Sequence, residues 1–99
     1  MKITEVKIYP ARDNEKRLKA YATVVFDGAF IVRDLKVIEG EKGLFVSMPS
    51  RRRKDGSFRD IAHPLNADMR KHIEEHVVGE YQSVERSGAS APDAEYDVE

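Results

Sequence analysis

Apolar positions in the first half of the chain recur at the short intervals of strands. In residues 2–9, Ile3, Val6, Ile8 and Tyr9 stand out of a polar background. Their uneven spacing predicts a strand with a bulge or with two half-buried faces, and Pro10 ends it. Residues 11–17 are polar and read as a turn. Residues 18–26 and 30–38 are two longer β-prone runs around Asp27-Gly28-Ala29. Asp-Gly between such runs is a strong hairpin signal, because a tight turn needs positive φ. Residues 39–43 predict another turn. Residues 44–49 predict a fourth strand, in which Leu44, Val46 and Met48 alternate with Phe45 and Ser47.

The period then lengthens. Met69, Ile73, Val77, Tyr81 and Val84 recur about every four residues, which is one face of a helix, and Val78 widens the stripe. Asn66 is a good N-cap, and the constraint of Pro64 keeps the residues before it extended. Gly79 weakens the helix near its end. From Ser83 the chain turns small and polar, through Ser87-Gly88-Ala89-Ser90-Ala91-Pro92, and then acidic. This composition buries too little apolar surface to fold and reads as a disordered tail. The expected fold is α+β: an antiparallel sheet of four to five strands, a C-terminal α-helix packed on it, and a basic hairpin or loop between the last strands. Residues 1–82 form the domain and 83–99 the acidic tail.

Composition narrows the function classes. The 99 residues make one domain, small enough that oligomerisation would help its stability. A short open sheet also leaves strand edges that a symmetric partner would cover. There is no cysteine, which excludes a disulfide frame and a thiolate zinc site. No apolar run resembles a signal or a membrane span, so the chain reads as cytoplasmic, with nucleoid association open to it. Net charge is −1, but residues 1–82 carry +3 and residues 83–99 carry −4. The body is mildly basic and the tail acidic.

The basic excess is concentrated. Arg51, Arg52, Arg53 and Lys54 run up to Asp55-Gly56, and Arg59 follows the turn. So many adjacent cations cannot all find acids, and they make a local positive field that polyanions seek. If Asp55-Gly56 is a two-residue hairpin turn, Arg53 faces Phe58, Arg52 faces Arg59 and Arg51 faces Asp60. Arg52, Lys54 and Arg59 then share one side; Arg51, Arg53, Phe58 and Asp60 share the other. Arg52 opposite Arg59 is a destabilising like-charge pair that a bound phosphate would relieve. The plain alternative is a solvated turn with spare charge.

Here the residues carry a resemblance. Phe45-Val46, Met48-Pro49-Ser50, a basic pair, then Asp55-Gly56 and Phe58-Arg59-Asp60-Ile61-Ala62-His63-Pro64 resemble the stage V sporulation protein G family, also called the septation-regulator family. The likeness extends from Met1 to about Gln82, through an opening strand over 3–7, a strand over 30–38 and a closing helix that ends near Glu80-Tyr81. It implies a small bacterial cytoplasmic regulator that binds DNA and RNA as a homodimer, tied to septation, sporulation and other gene programmes. The family's basic pair maps onto Arg51 and Arg52. Arg53 stands here for an often uncharged residue and Lys54 for a frequent proline. The added charge comes with a looser turn and an undefined target sequence. The alternative use of the same arm is an acidic protein partner.

Other candidates weigh less. Arg70 and Lys71 lie early in the helix, where cations are mildly unfavourable. That hints at an anion-facing surface, although Glu74 and Glu75 stand at i,i+4 to pair with them. Tyr9, Tyr21, Phe45 and Phe58 have rings on which bases stack. Phe58, among the arginines, is the one to test; the others fit core or dimer contacts. His72-Ile73-Glu74-Glu75-His76 matches an inverted zinc-peptidase pattern, but too little chain follows to supply a third ligand and a substrate chamber. His63 has no adjacent nucleophile and reads as a structural hydrogen-bonder. Asp55 is explained by the turn and Asp60 by pairing with Arg51. No phosphate loop or dinucleotide fingerprint is present. The expectation is a binding protein, not an enzyme, with no cofactor, metal, membrane or small-molecule substrate.

Overall fold

The computed structural model describes residues 1–11 and 17–87. The chain order is β1 (Ile3–Pro10), β2 (Leu18–Phe26), β3 (Phe30–Gly40), β4 (Gly43–Ser47), β5 (Ser50–Arg52), β6 (Phe58–Asp60) and α1 (Ala67–Ser87). β1 to β4 form an antiparallel meander in sequence order, and β5 with β6 forms a separate two-stranded ribbon. The fold is α+β, as the pattern predicts.

The turns follow from local chemistry. Asp27 and Gly28 both take positive φ, at 53° and 61°, and Ala29 N–H donates to the Phe26 carbonyl. The bulge expected in β1 sits between Ile3 and Glu5. There the Thr4 hydroxyl donates to the Val25 carbonyl and accepts from Gly28 N–H. A second bulge opposes Thr23, where β3 carries an extra residue, and Asp34 takes φ 65° in it. β3 and β4 run closer together than the predicted turn over 39–43 allows: Gly40 pairs with Gly43, and only Glu41 and Lys42 form the loop. The expected turn over 11–17 falls largely outside the described residues.

One face of the sheet is covered by α1. Ile8, Ala22, Val24, Leu35, Val37 and Val46 meet Ile73 and Val77 there, all nearly solvent-free. The helical stripe is the predicted one. Met69, Ile73, Val77, Tyr81, Val84 and Val78 all pack on this core. Asn66 is the N-cap: its side-chain oxygen accepts from Met69 N–H at 2.8 Å. The helix does not stop near Tyr81. Gly79 has no neighbour to disturb, Val84 keeps the stripe on the sheet, and Tyr81 donates to Glu85 at 2.9 Å. Residues 83–87, read as the start of the tail, therefore belong to α1. The remainder of that segment lies outside the described residues. No helix among the described residues is long and apolar enough to cross a membrane.

Candidate nucleic-acid interface

The basic run folds as the β5–β6 ribbon. It leaves the body at Pro49, which is buried and whose carbonyl accepts from Ile61 N–H at 2.8 Å. That bond closes the ribbon's base. Beyond it, among the described residues, β5 and β6 pack on each other and on no other strand or helix. Every residue from Ser50 to Ile61 is exposed.

The register differs by one residue from a two-residue turn. Ser50 pairs with Asp60, Arg51 with Arg59, and Arg52 with Phe58. Arg53 N–H then donates to the Ser57 carbonyl, so Lys54-Asp55-Gly56 is a three-residue loop. Gly56 takes φ 90° and donates to the Arg53 carbonyl. Asp55 decides the matter. Its Oδ1 accepts from both Ser57 N–H at 2.9 Å and Ser57 Oγ at 2.6 Å. The carboxylate thereby caps the residue two ahead, which fixes Asp55 in the loop and leaves Gly56 to supply the left-handed exit. These bonds, led by the Ser57 hydroxyl and then its amide, hold the Asp55 carboxyl below the usual range.

A one-residue shift exchanges faces. Arg51, Arg53 and Arg59 share one side of the ribbon, and Arg52, Phe58 and Asp60 share the other. The like-charge pair is therefore Arg51 opposite Arg59. Arg52 stands opposite Phe58, and Asp60 opposite Ser50, so the expected Arg51–Asp60 pair does not form. Among the described residues, none of Arg51, Arg52, Arg53, Lys54 or Arg59 makes an ion pair. All five line one shallow recess with Asp60 and Ile61. Ile61, 67% exposed, is a lining residue that sequence reading overlooked. Its place after Asp60, at the end of β6, was the available signal.

The helix cations behave differently from each other. Arg70 Nη1 lies 3.6 Å from Glu74 Oε2 and donates to the Val46 carbonyl at 3.4 Å. Glu74 accepts from Val46 N–H at 3.3 Å. The pair caps the outward peptide groups of β4, an edge strand, so Arg70 is committed to the sheet. Lys71 is exposed and makes no ion pair among the described residues. Neither lines the recess that gathers the ribbon cations.

The remaining candidates are dispersed. Tyr9 and Tyr21 pair across β1 and β2 on the sheet face away from α1, and Lys36 lies next in the same row. Phe45 pairs with Ile38 and lies against Gly40, where an added Cβ would come within 3.0 Å of its ring. Phe58 is 70% exposed. His72 and His76 meet edge to face with centroids 4.5 Å apart, and His76 Nδ1 lies 2.9 Å from the His72 carbonyl. His63 Nδ1 lies 3.0 Å from the Pro64 carbonyl. Among the described residues no group of three or more acids and histidines gathers as a metal site.

The SpoVG family model matches residues 1–83. A "Putative septation protein SpoVG" of Anaeromyxobacter dehalogenans is 53% identical over 92 residues, covering 93% of this chain and 89% of the relative. One of the same name from Bdellovibrio bacteriovorus is 58% identical over 82 residues, covering 83% and 74%. Another from Acholeplasma laidlawii is 48% identical over 91 residues, covering 92% and 96%.

Proposed function

This chain belongs to the SpoVG family, and from that premise we propose a homodimeric nucleic-acid-binding regulator whose β5–β6 ribbon is the binding element. The supporting observation is the ribbon itself: five exposed cations without acid partners among the described residues, in a chain of net charge −1. Charge segregated this far from the mean serves a polyanion better than it serves the fold, since Arg51 facing Arg59 weakens the ribbon in isolation. Phosphates set between those two guanidiniums remove the repulsion and gain charge-assisted hydrogen bonds. Lys71, exposed on α1, is a secondary contact in this reading. The family and the relatives' printed name, "Putative septation protein SpoVG", support a septation- and sporulation-related role, and in this reading that is the process regulated. Action is by binding rather than by catalysis, and two ribbons per dimer raise avidity on one long ligand.

The test is salt-dependent binding of the untagged full chain to DNA and RNA by fluorescence anisotropy, with sedimentation for the oligomer. Affinity that falls steeply with salt supports the reading. Salt-independent binding, or none at low salt, refutes it, and a stable monomer at micromolar concentration refutes the dimer.

A further inference from the structure

The two sides of the ribbon differ chemically. By strand register one carries Arg51, Arg53 and Arg59 and the other Arg52, Phe58 and Asp60 beside Ser50, while the recess that the cations line takes in Asp60 and leaves out Phe58. The first suits phosphates. The second does not, because a carboxylate there repels them. A carboxylate does suit a base edge, where it accepts from an exocyclic amine. Phe58 sharpens the contrast: it is 70% exposed, and among the described residues no other element packs on the ribbon to cover it. The guanidinium of Arg52 extends toward the loop, with Nη2 4.0 Å from where a Gly56 Cβ would stand. An aromatic ring opposite an arginine, with a carboxylate and a hydroxyl alongside, is the set that holds an unstacked base: π-faces above, hydrogen bonds at the edge.

Resting on the reading that the ribbon binds nucleic acid, we propose that its ligand is single-stranded where it meets the ribbon. An unpaired base stacks on Phe58 with its edge toward Asp60 and Ser50. The phosphates run past Arg51, Arg53 and Arg59 on the other side. A flexible strand can wrap a ribbon only two strands wide and use both sides at once. A duplex presents a groove to one side, and must unpair a base to reach the other at a considerable cost.

The experiment compares a single strand of about 12 nucleotides, within the usual site size, with the same sequence as a duplex, in RNA and DNA, against the full chain. The parent is expected to prefer the single strand. Phe58→Ala should weaken single-strand binding about 5- to 150-fold and leave duplex binding within about 2-fold. Phe58→Tyr should keep the affinity, and Phe58→Leu, which keeps apolar bulk but has no ring, should lose it. Equal losses on both ligands, no loss on the single strand, or full activity of Phe58→Leu would overturn the inference while leaving the ribbon as the binding element. Dissociation of the dimer by Phe58→Ala would also overturn it, by assigning the ring to a subunit contact. A parent that binds neither ligand removes the functional reading and the inference together.

Discussion

The pairing of Arg51 with Arg59 makes a quantitative prediction. Replace both with alanine. Among the described residues no internal contact is lost, since neither side chain is ion-paired there and the ribbon packs on no other element. The like-charge repulsion, worth a few tenths to about 1 kcal/mol, also disappears. The fold should therefore be at least as stable as the parent's. Binding should behave oppositely. On a single strand each phosphate contact contributes about 0.7 to the slope of log affinity against log salt. Two lost contacts should flatten that slope by about 1.4. Extrapolated from an electrostatic term that vanishes near 1 M, the loss is about 70-fold at roughly 50 mM salt and about 10-fold at roughly 200 mM. Anisotropy titrations at four salt concentrations give the slope, and a urea melt gives the stability. An unchanged slope would show that these arginines do not touch phosphate. A flattened slope with a destabilised fold would show that the ribbon is less independent than its contacts indicate.

Two further outcomes test the body of the protein. Glu74→Ala leaves Val46 N–H without its partner and should cost about 1 kcal/mol, lowering Tm by several degrees, while Arg70→Ala should change nucleic-acid affinity less than about 2-fold; a loss matching that of a ribbon arginine would bring α1 into the interface. Burial, helped by the hydrogen bond to Glu85, pushes the Tyr81 phenol up to about 12 from 10.0, so its contribution to stability is fully present below pH 10 and is lost as pH rises toward 12. Tyr81→Phe should flatten that alkaline decline in urea midpoints, and an unchanged profile would show that other groups cause it.

Much of this architecture is written in local periodicity. The meander and the helical stripe follow from apolar spacing, and the Asn66 cap from one residue's chemistry. The ribbon shows where such reading stops. Asp55-Gly56 announces a turn, but the dipeptide does not say whether it fills a two-residue loop or ends a three-residue one. The answer lies in Ser57, whose amide and hydroxyl both reach the Asp55 carboxylate. That detail moves every arginine to the opposite partner. Arg70 illustrates a second limit. Its i,i+4 pairing with Glu74 is legible, but the joint grip on Val46 spans 24 residues from Arg70 and 28 from Glu74, and no local pattern encodes it. The helix end is a third. Glycine propensity favours stopping near Gly79, and the packing of Val84 on the core overrides it.

The ribbon's isolation bears on how binding and order are coupled. A two-stranded hairpin is marginal by itself, and this one is tied to the body by the Ile61–Pro49 bond and buried Pro49. Its loop is held by Asp55 and Ser57, while Arg51 facing Arg59 works against the strands. Opening it exposes no core surface, so local opening costs far less than global unfolding. A phosphate-bearing ligand changes the balance by neutralising the opposed arginines. On the proposed reading, part of the binding free energy then appears as ribbon order and leaves the β1–β4 core untouched. Amide exchange at Arg53, whose N–H donates to Ser57, should slow on adding ligand, while exchange at Val37 in the core should not. Equal slowing at both would mean that the ligand stabilises the whole fold, and the separation of binding element from core would be wrong.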